Sequence, residues 1–274
     1  RAEQYEPFFR FSDETRIVSV EIHAAGTDNT DARYYAGTEV WKQINNILRI
    51  KTADGFEGIS GVVSEHQGEF SEKHLLELQS VTADLLALRS LDPVEVGTML
   101  ERTRPDLSDA SRANIDIALW DLAARRAGRP LYKLLGAKRD SIEPYASLPF
   151  YDSLPEYVDA VNEYAKLGYR TFKFHVWGLI EEDSKLVKLI KKTFADSPYH
   201  FMMDLEGAYG YEDALRLGGE MDERLFIWFE GPIDDKLLEQ YRELRNRLAL
   251  PIIPAGYNIY SPEFIRQGIK TGSW

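Results

Sequence analysis

The sequence predicts an α/β protein, an α+β unit followed by a parallel strand–helix array of the (β/α)8, TIM-like kind. Three observations carry this. Alternating β-branched segments precede a block of helices before residue 140. Beyond it, short apolar runs and amphipathic helices alternate at roughly one pair per 25–30 residues, the rhythm of parallel βαβ units. The chain's 274 residues, 44% of them hydrophobic, suffice for such a core.

The first unit opens with Thr15–Ala25, in which β-branched and polar residues alternate as in a half-buried strand. A loop follows from Gly26 to Thr38. Ile44–Thr52 reads as the next strand, Ala53-Asp54-Gly55 as a tight turn and Phe56–Val63 as its antiparallel partner. From Ser71 to Leu88, and from Pro93 to Arg102, apolar residues recur at helical spacing. Asp109–Arg126 places Ile115, Leu119, Leu122 and Ala123 on one face, and Gly128 with Pro130 ends that helix. Residues 15–140 therefore form one domain and 141–274 a second.

In the second domain the apolar runs are Glu143–Leu148, Arg170–Val176, His200–Asp204, Leu225–Glu230 and Pro251–Ala255. Helices are expected near 154–167, 182–195, 211–223, 235–248 and 261–270. No Gly-rich phosphate loop follows any strand, which disfavours a dinucleotide-binding sheet and favours the barrel. Only about five βα units can be counted where a closed barrel needs eight, so the chain is expected to stop inside its own barrel.

Composition removes several function classes. Asp and Glu number 45 against 33 Lys and Arg, a formal net charge of −12, which leaves no broad basic surface for nucleic acid. There is no Cys, hence no disulfide, thiolate metal site or thiol nucleophile, in keeping with a cytoplasmic location. No apolar run approaches the length of a membrane span, and the N-terminal residues lack a signal-peptide core.

Catalytic groups of a parallel barrel sit at the C-terminal ends of its strands. There, Lys173 and His175 lie two residues apart and so share a face, with Phe172 and Phe174 on the other. Asp204 and Glu206 share the end of the third run, Glu230 closes the fourth, and Tyr257 follows the fifth. Each has a duller reading: a helix cap for the carboxylates, a snorkelling stem for the lysine, a packed structural role for the histidine and an aromatic lid for Tyr257. Their recurrence at successive strand ends favours one converging site. Carboxylate oxygens suit Mg2+ or Mn2+, and a divalent ion is an effective way to hold charge developing on a carboxylate substrate.

These residues, with the stretch ANIDIALWDLAARRAGRPLYKLLGA (Ala113–Ala137), resemble the enolase superfamily, specifically its mandelate racemase and muconate lactonizing enzyme branch. The stretch is similar to the helix and Pro-x-x-x-Leu-Leu-Gly segment joining that family's α+β capping domain to its barrel. Lys173-Phe-His175 stands where the family has Lys-x-Lys, and Asp204 and Glu230 where it has two metal ligands. The resemblance implies Mg2+-dependent removal of the proton α to a carboxylate, through an enediolate. It implies Lys173 as electrostatic partner of the substrate carboxylate and His175 as acid/base. It also implies that the loop at Gly26–Thr38, with Asp54–Ile59, closes over substrate. Members usually self-associate, which implies a homo-oligomer; the composition implies no nucleic-acid or membrane partner.

The sequence departs from that pattern in three ways. His175 replaces the second lysine. Tyr257, with Asn258 a candidate substrate-binding residue, stands where a third carboxylate ligand is expected, and a neutral phenol is a poor Mg2+ ligand. Glu206 can supply that missing carboxylate; the competing reading is a decayed metal site. The family's His–Asp dyad on later strands is the third feature not found. The expectation is an enzyme acting on a small carboxylic acid, a lyase dehydrating a hydroxy or sugar acid. The alternatives are a racemase, epimerase or cycloisomerase on a non-sugar acid, or a non-catalytic binding barrel.

Overall fold

In the computed structural model, residues 11–26, 44–64, 68–256 and 261–274 are described. They divide into two compact units, the described part of the first ending at Ser141 and that of the second beginning at Ile142. Most of the Gly26–Thr38 loop, together with Tyr257 and Asn258, lies outside the described residues.

In the first unit, β1 (Ile17–Gly26), β2 (Ile44–Thr52) and β3 (Glu57–Ser64) form an antiparallel meander in that order. Alternate residues of β2, among them Leu48 and Ile50, are buried, as period-two patterning requires. Four longer helical segments follow: α1 (Gly68–Ser80), α2 (Thr82–Leu86), α3 (Pro93–Thr103) and α4 (Asp109–Arg126), with the single turn α5 (Leu131–Leu134) after them. The helix expected across Ser71–Leu88 is broken at Val81, whose backbone sits at φ −93°, ψ −2°. The Thr82 hydroxyl turns back to the Leu78 carbonyl, a bond that competes with straight helix. Asp92 caps α3 through the Val94 and Glu95 amides, and Ser108 caps α4. The face of α4 carrying Ile115, Leu119 and Leu122 packs with Leu48, Ile50, Leu78 and Leu100 in one core. A Cβ at Gly58 would lie 2.0 Å from the Ala118 carbonyl oxygen, so glycine sets how closely α4 approaches β3.

The second unit is a five-stranded parallel sheet among the described residues: β4 (Ala146–Leu148), β5 (Thr171–His175), β6 (His200–Asp204), β7 (Phe226–Glu230) and β8 (Ile252–Ile253), paired in sequence order. Between and after them run α6 (Leu154–Lys166), α7 (Ile180–Phe194), α8 (Tyr211–Glu220), α9 (Leu238–Arg247) and α10 (Pro262–Thr271). Phe172, Phe174, Phe201, Met203 and Phe229 join Leu186, Val187, Ile190, Leu217 and Leu244 from the helices in one core. The alternate residues Lys173, His175, Asp204 and Glu230 therefore turn to the sheet's other face. The barrel-type alternation is thus present, and no described helix is long and apolar enough to cross a membrane. The start of α9 moves from the expected residue 235 to Leu238 because the buried Asp235 carboxylate instead binds the Ala255 and Gly256 amides and the Tyr241 hydroxyl.

Candidate functional site

Sheet register decides what meets at the strand ends. His175 pairs with Asp204 and Asp204 with Glu230, so three polar side chains from three strands stand in a row at their C-terminal ends. Lys173 sits one pleat below, beside Met202. Its ammonium reaches upward, donating to Asp204 Oδ2 at 2.7 Å and to Glu230 Oε2 at 3.3 Å. Glu206 lies just past β6 with φ of +53°, the only positive value at a non-glycine among the described residues. Its amide donates to Asp204 Oδ1 at 3.2 Å.

His175, at one end of this row, joins β4 to the end of β6. Its Nδ1 is 2.8 Å from the Leu148 carbonyl oxygen, so Nδ1 carries a proton and donates it. The other ring nitrogen, Nε2, lies 3.5 Å from both Asp204 Oδ2 and Glu206 Oε1. The Tyr157 hydroxyl donates to the His175 carbonyl at 2.6 Å and fixes the backbone there. Trp228, two residues before Glu230 and on the same face, donates its indole N–H to Glu230 Oε2 at 3.2 Å.

The electrostatics follow from burial and crowding of like charge. Burial, with the negative charges of Glu206 and Glu230, pushes the Asp204 carboxyl up to about 6, against the opposing pull of Lys173. One ammonium does not compensate three carboxylates. For Lys173, burial acts to lower the ammonium, but Asp204 and Glu230 outweigh it and hold it above its ordinary value. The site is thus short of positive charge, the condition a divalent cation relieves, and its oxygen donors fit a hard ion.

Behind the row, Asp183 is buried and ties two loops together. It accepts the Trp177 and Leu179 amides, each at 3.0 Å, and the Tyr209 hydroxyl at 2.5 Å. Trp177 and Leu179 follow His175, while Tyr209 closes the turn that begins at Glu206. Burial raises the Asp183 carboxyl to about 6 even with these donors.

The structure brings together Lys173, His175, Asp204, Glu206 and Glu230. Tyr257 and Asn258 fall outside the described residues. Sequence reasoning missed Trp228, Asp183, Tyr157 and the Leu148 carbonyl. Only Trp228 carried a usable signal, its period-two spacing from Glu230.

Both units of the chain match known protein families. Residues 17–136 match the family described as mandelate racemase / muconate lactonizing enzyme, N-terminal domain, and residues 156–274 match the enolase C-terminal domain-like family. The L-talarate/galactarate dehydratase of Salmonella typhimurium is 29% identical over 214 residues, covering 75% of this chain and 53% of the relative. The arabinonate dehydratase of Saccharolobus solfataricus is 31% identical over 159 residues, covering 56% of this chain and 42% of the relative. The crystal structure of the Salmonella dehydratase liganded with Mg and L-lyxarohydroxamate superposes with a TM-score of 0.83 at 27% identity, covering 95% of this chain and 69% of that one. The chain spans about half the length of the curated relatives it matches.

Proposed function

The chain belongs to the mandelate racemase and muconate lactonizing enzyme branch of the enolase superfamily, and from that premise we propose that the whole protein removes the proton α to a carboxylate and dehydrates a small hydroxy or sugar acid. The observation that carries this reading is the convergence of Lys173, His175, Asp204, Glu206 and Glu230 at the C-terminal ends of adjacent parallel strands. The two dehydratases among the relatives favour elimination of water over racemisation.

An α proton is weakly acidic, so the site must hold the negative charge that develops while a base reaches the carbon. With Nδ1–H committed to the Leu148 carbonyl, His175 offers Nε2 as the proton acceptor. Lys173 places a buried positive charge where a substrate carboxylate meets the strand ends. Asp204 and Glu230, with Glu206 as third carboxylate, would hold Mg2+, in line with the magnesium in the Salmonella structure. When bound, the ion supplies Lewis-acid stabilisation of charge on the substrate carboxylate oxygens.

The test is a library of hydroxy and sugar acids incubated with full-length protein and Mg2+, assayed for 2-keto acids. Formation of a 2-keto product supports dehydration. No product from any acid, with metal bound, removes it.

A further inference from the structure

Two donors rise from the layer beneath the carboxylate row to one oxygen of Glu230. Lys173 on β5 pairs with Met202 on β6, and Met202 with Trp228 on β7, so lysine and tryptophan share a layer with a methionine between them. The Trp228 indole N–H donates to Glu230 Oε2 at 3.2 Å, and the Lys173 ammonium donates to the same oxygen at 3.3 Å. The other oxygen, Oε1, accepts no hydrogen bond from a described residue.

The strand bends to make this contact. Phe226 pairs with Phe201, but the next residue of β6, Met202, pairs with Trp228, which leaves Ile227 as one extra residue in β7. Strict alternation would put Trp228 on the face of Phe226. The extra residue instead sends both Phe226 and Phe229 into the core and turns Trp228 and Glu230 together to the site. The Tyr145 ring packs edge-on against the indole, with centroids 5.8 Å apart and planes at 87°, and limits its rotation.

An indole is a donor that carries no charge. A second lysine or an arginine in its place would neutralise more of the row. Trp228 orients a carboxylate and leaves the surplus of negative charge that favours a divalent cation. Outer hydrogen bonds of this kind fix the orientation of metal-binding carboxylates.

We propose, on the reading of Glu230 as a Mg2+ ligand, that Trp228 is a positioning residue of the site: its indole N–H, with Lys173, holds Glu230 Oε2 and so orients the carboxylate for the ion. The test uses full-length protein with isotope-labelled indole nitrogens for NMR, and follows Mg2+ by calorimetry. The Trp228 indole N–H peak, assigned by its loss in Trp228→Phe, should shift in Glu230→Ala and on saturation with Mg2+. Mg2+ affinity should fall on the order of tenfold in Trp228→Phe. In the Glu230→Ala background the same substitution should change it by less than about twofold, because the tryptophan acts only through that carboxylate. If Trp228→Phe does not fold, as judged by circular dichroism, Trp228→Leu takes its place in both measurements.

An equal loss of affinity in both backgrounds overturns the proposal, since the ring then acts by packing alone. Unchanged Mg2+ affinity in the folded variant, or an indole peak indifferent to Glu230→Ala, overturns it too, and neither result bears on whether the protein dehydrates an acid. The tenfold loss in a protein that yields no 2-keto acid from any substrate sinks the dehydratase reading and leaves this one standing. Failure of the wild type to bind Mg2+ removes both.

Discussion

Replacing Lys173 by Met removes the ammonium that faces the carboxylate row. The ammonium lies 2.7 Å from Asp204 and 3.3 Å from Glu230, with its side chain 10% exposed. Glu206 adds a third carboxylate against Asp204. A methionine keeps most of the volume and removes the charge, leaving the carboxylates uncompensated. Breaking a buried pair in this way costs about 3–5 kcal/mol, equivalent to a drop of about 1–2 M in the urea midpoint. The cost should be largest near pH 8 and shrink toward pH 5, because Asp204 already takes up a proton near 6 and its loss of a partner then matters less. Saturating Mg2+ should return part of the lost stability, since an ion bound only by the folded state stabilises it. The assay is urea unfolding followed by tryptophan fluorescence, in chelator and in Mg2+, at both pH values. An unchanged midpoint at pH 8 in chelator would refute the account of an under-compensated carboxylate row.

Three further outcomes follow from other parts of the structure. Asp183 titrates near 6 when folded against 3.8 ordinarily, so the folded state binds the extra proton between these values and stability from this group falls as pH rises. The wild type should therefore gain about 2 kcal/mol relative to Asp183→Asn between pH 6.5 and pH 4, and a constant gap in paired denaturation curves would contradict this. Gly58→Ala forces a methyl to 2.0 Å from the Ala118 carbonyl and 2.9 Å from Leu122 Cβ, and should cost more than about 3 kcal/mol in thermal unfolding. For Mg2+, calorimetry on Asp204→Asn should show binding abolished and on Glu206→Gln clearly weakened; unchanged affinity in the latter would remove Glu206 from the ligand set.

Much of the site was legible because a parallel strand imposes period two on short segments. Lys173 and His175 had to share a face opposite Phe172 and Phe174, and Asp204 and Glu230 ended the next two runs. What the sequence could not show is register: that His175, Asp204 and Glu230 are direct neighbours is set by pairing between strands, which no local pattern encodes. The orienting partner of His175 is a backbone carbonyl, at Leu148, and carbonyls leave no trace in residue identity. Asp183 reads as one more acid in the first turn of a helix, a common surface feature, yet it is buried beneath two loops. The break at Val81 was hidden because apolar spacing continues across it while the backbone does not.

The step proposed for this site is removal of a proton from the carbon next to a carboxylate. Proton NMR in deuterium oxide, with full-length protein, Mg2+ and a panel of hydroxy and sugar acids, tests it most directly. The C2 proton signal of at least one acid should disappear, by exchange or by conversion to a 2-keto acid, and His175→Gln should abolish the loss. Retention of every C2 proton by a protein that binds Mg2+ stoichiometrically would contradict it.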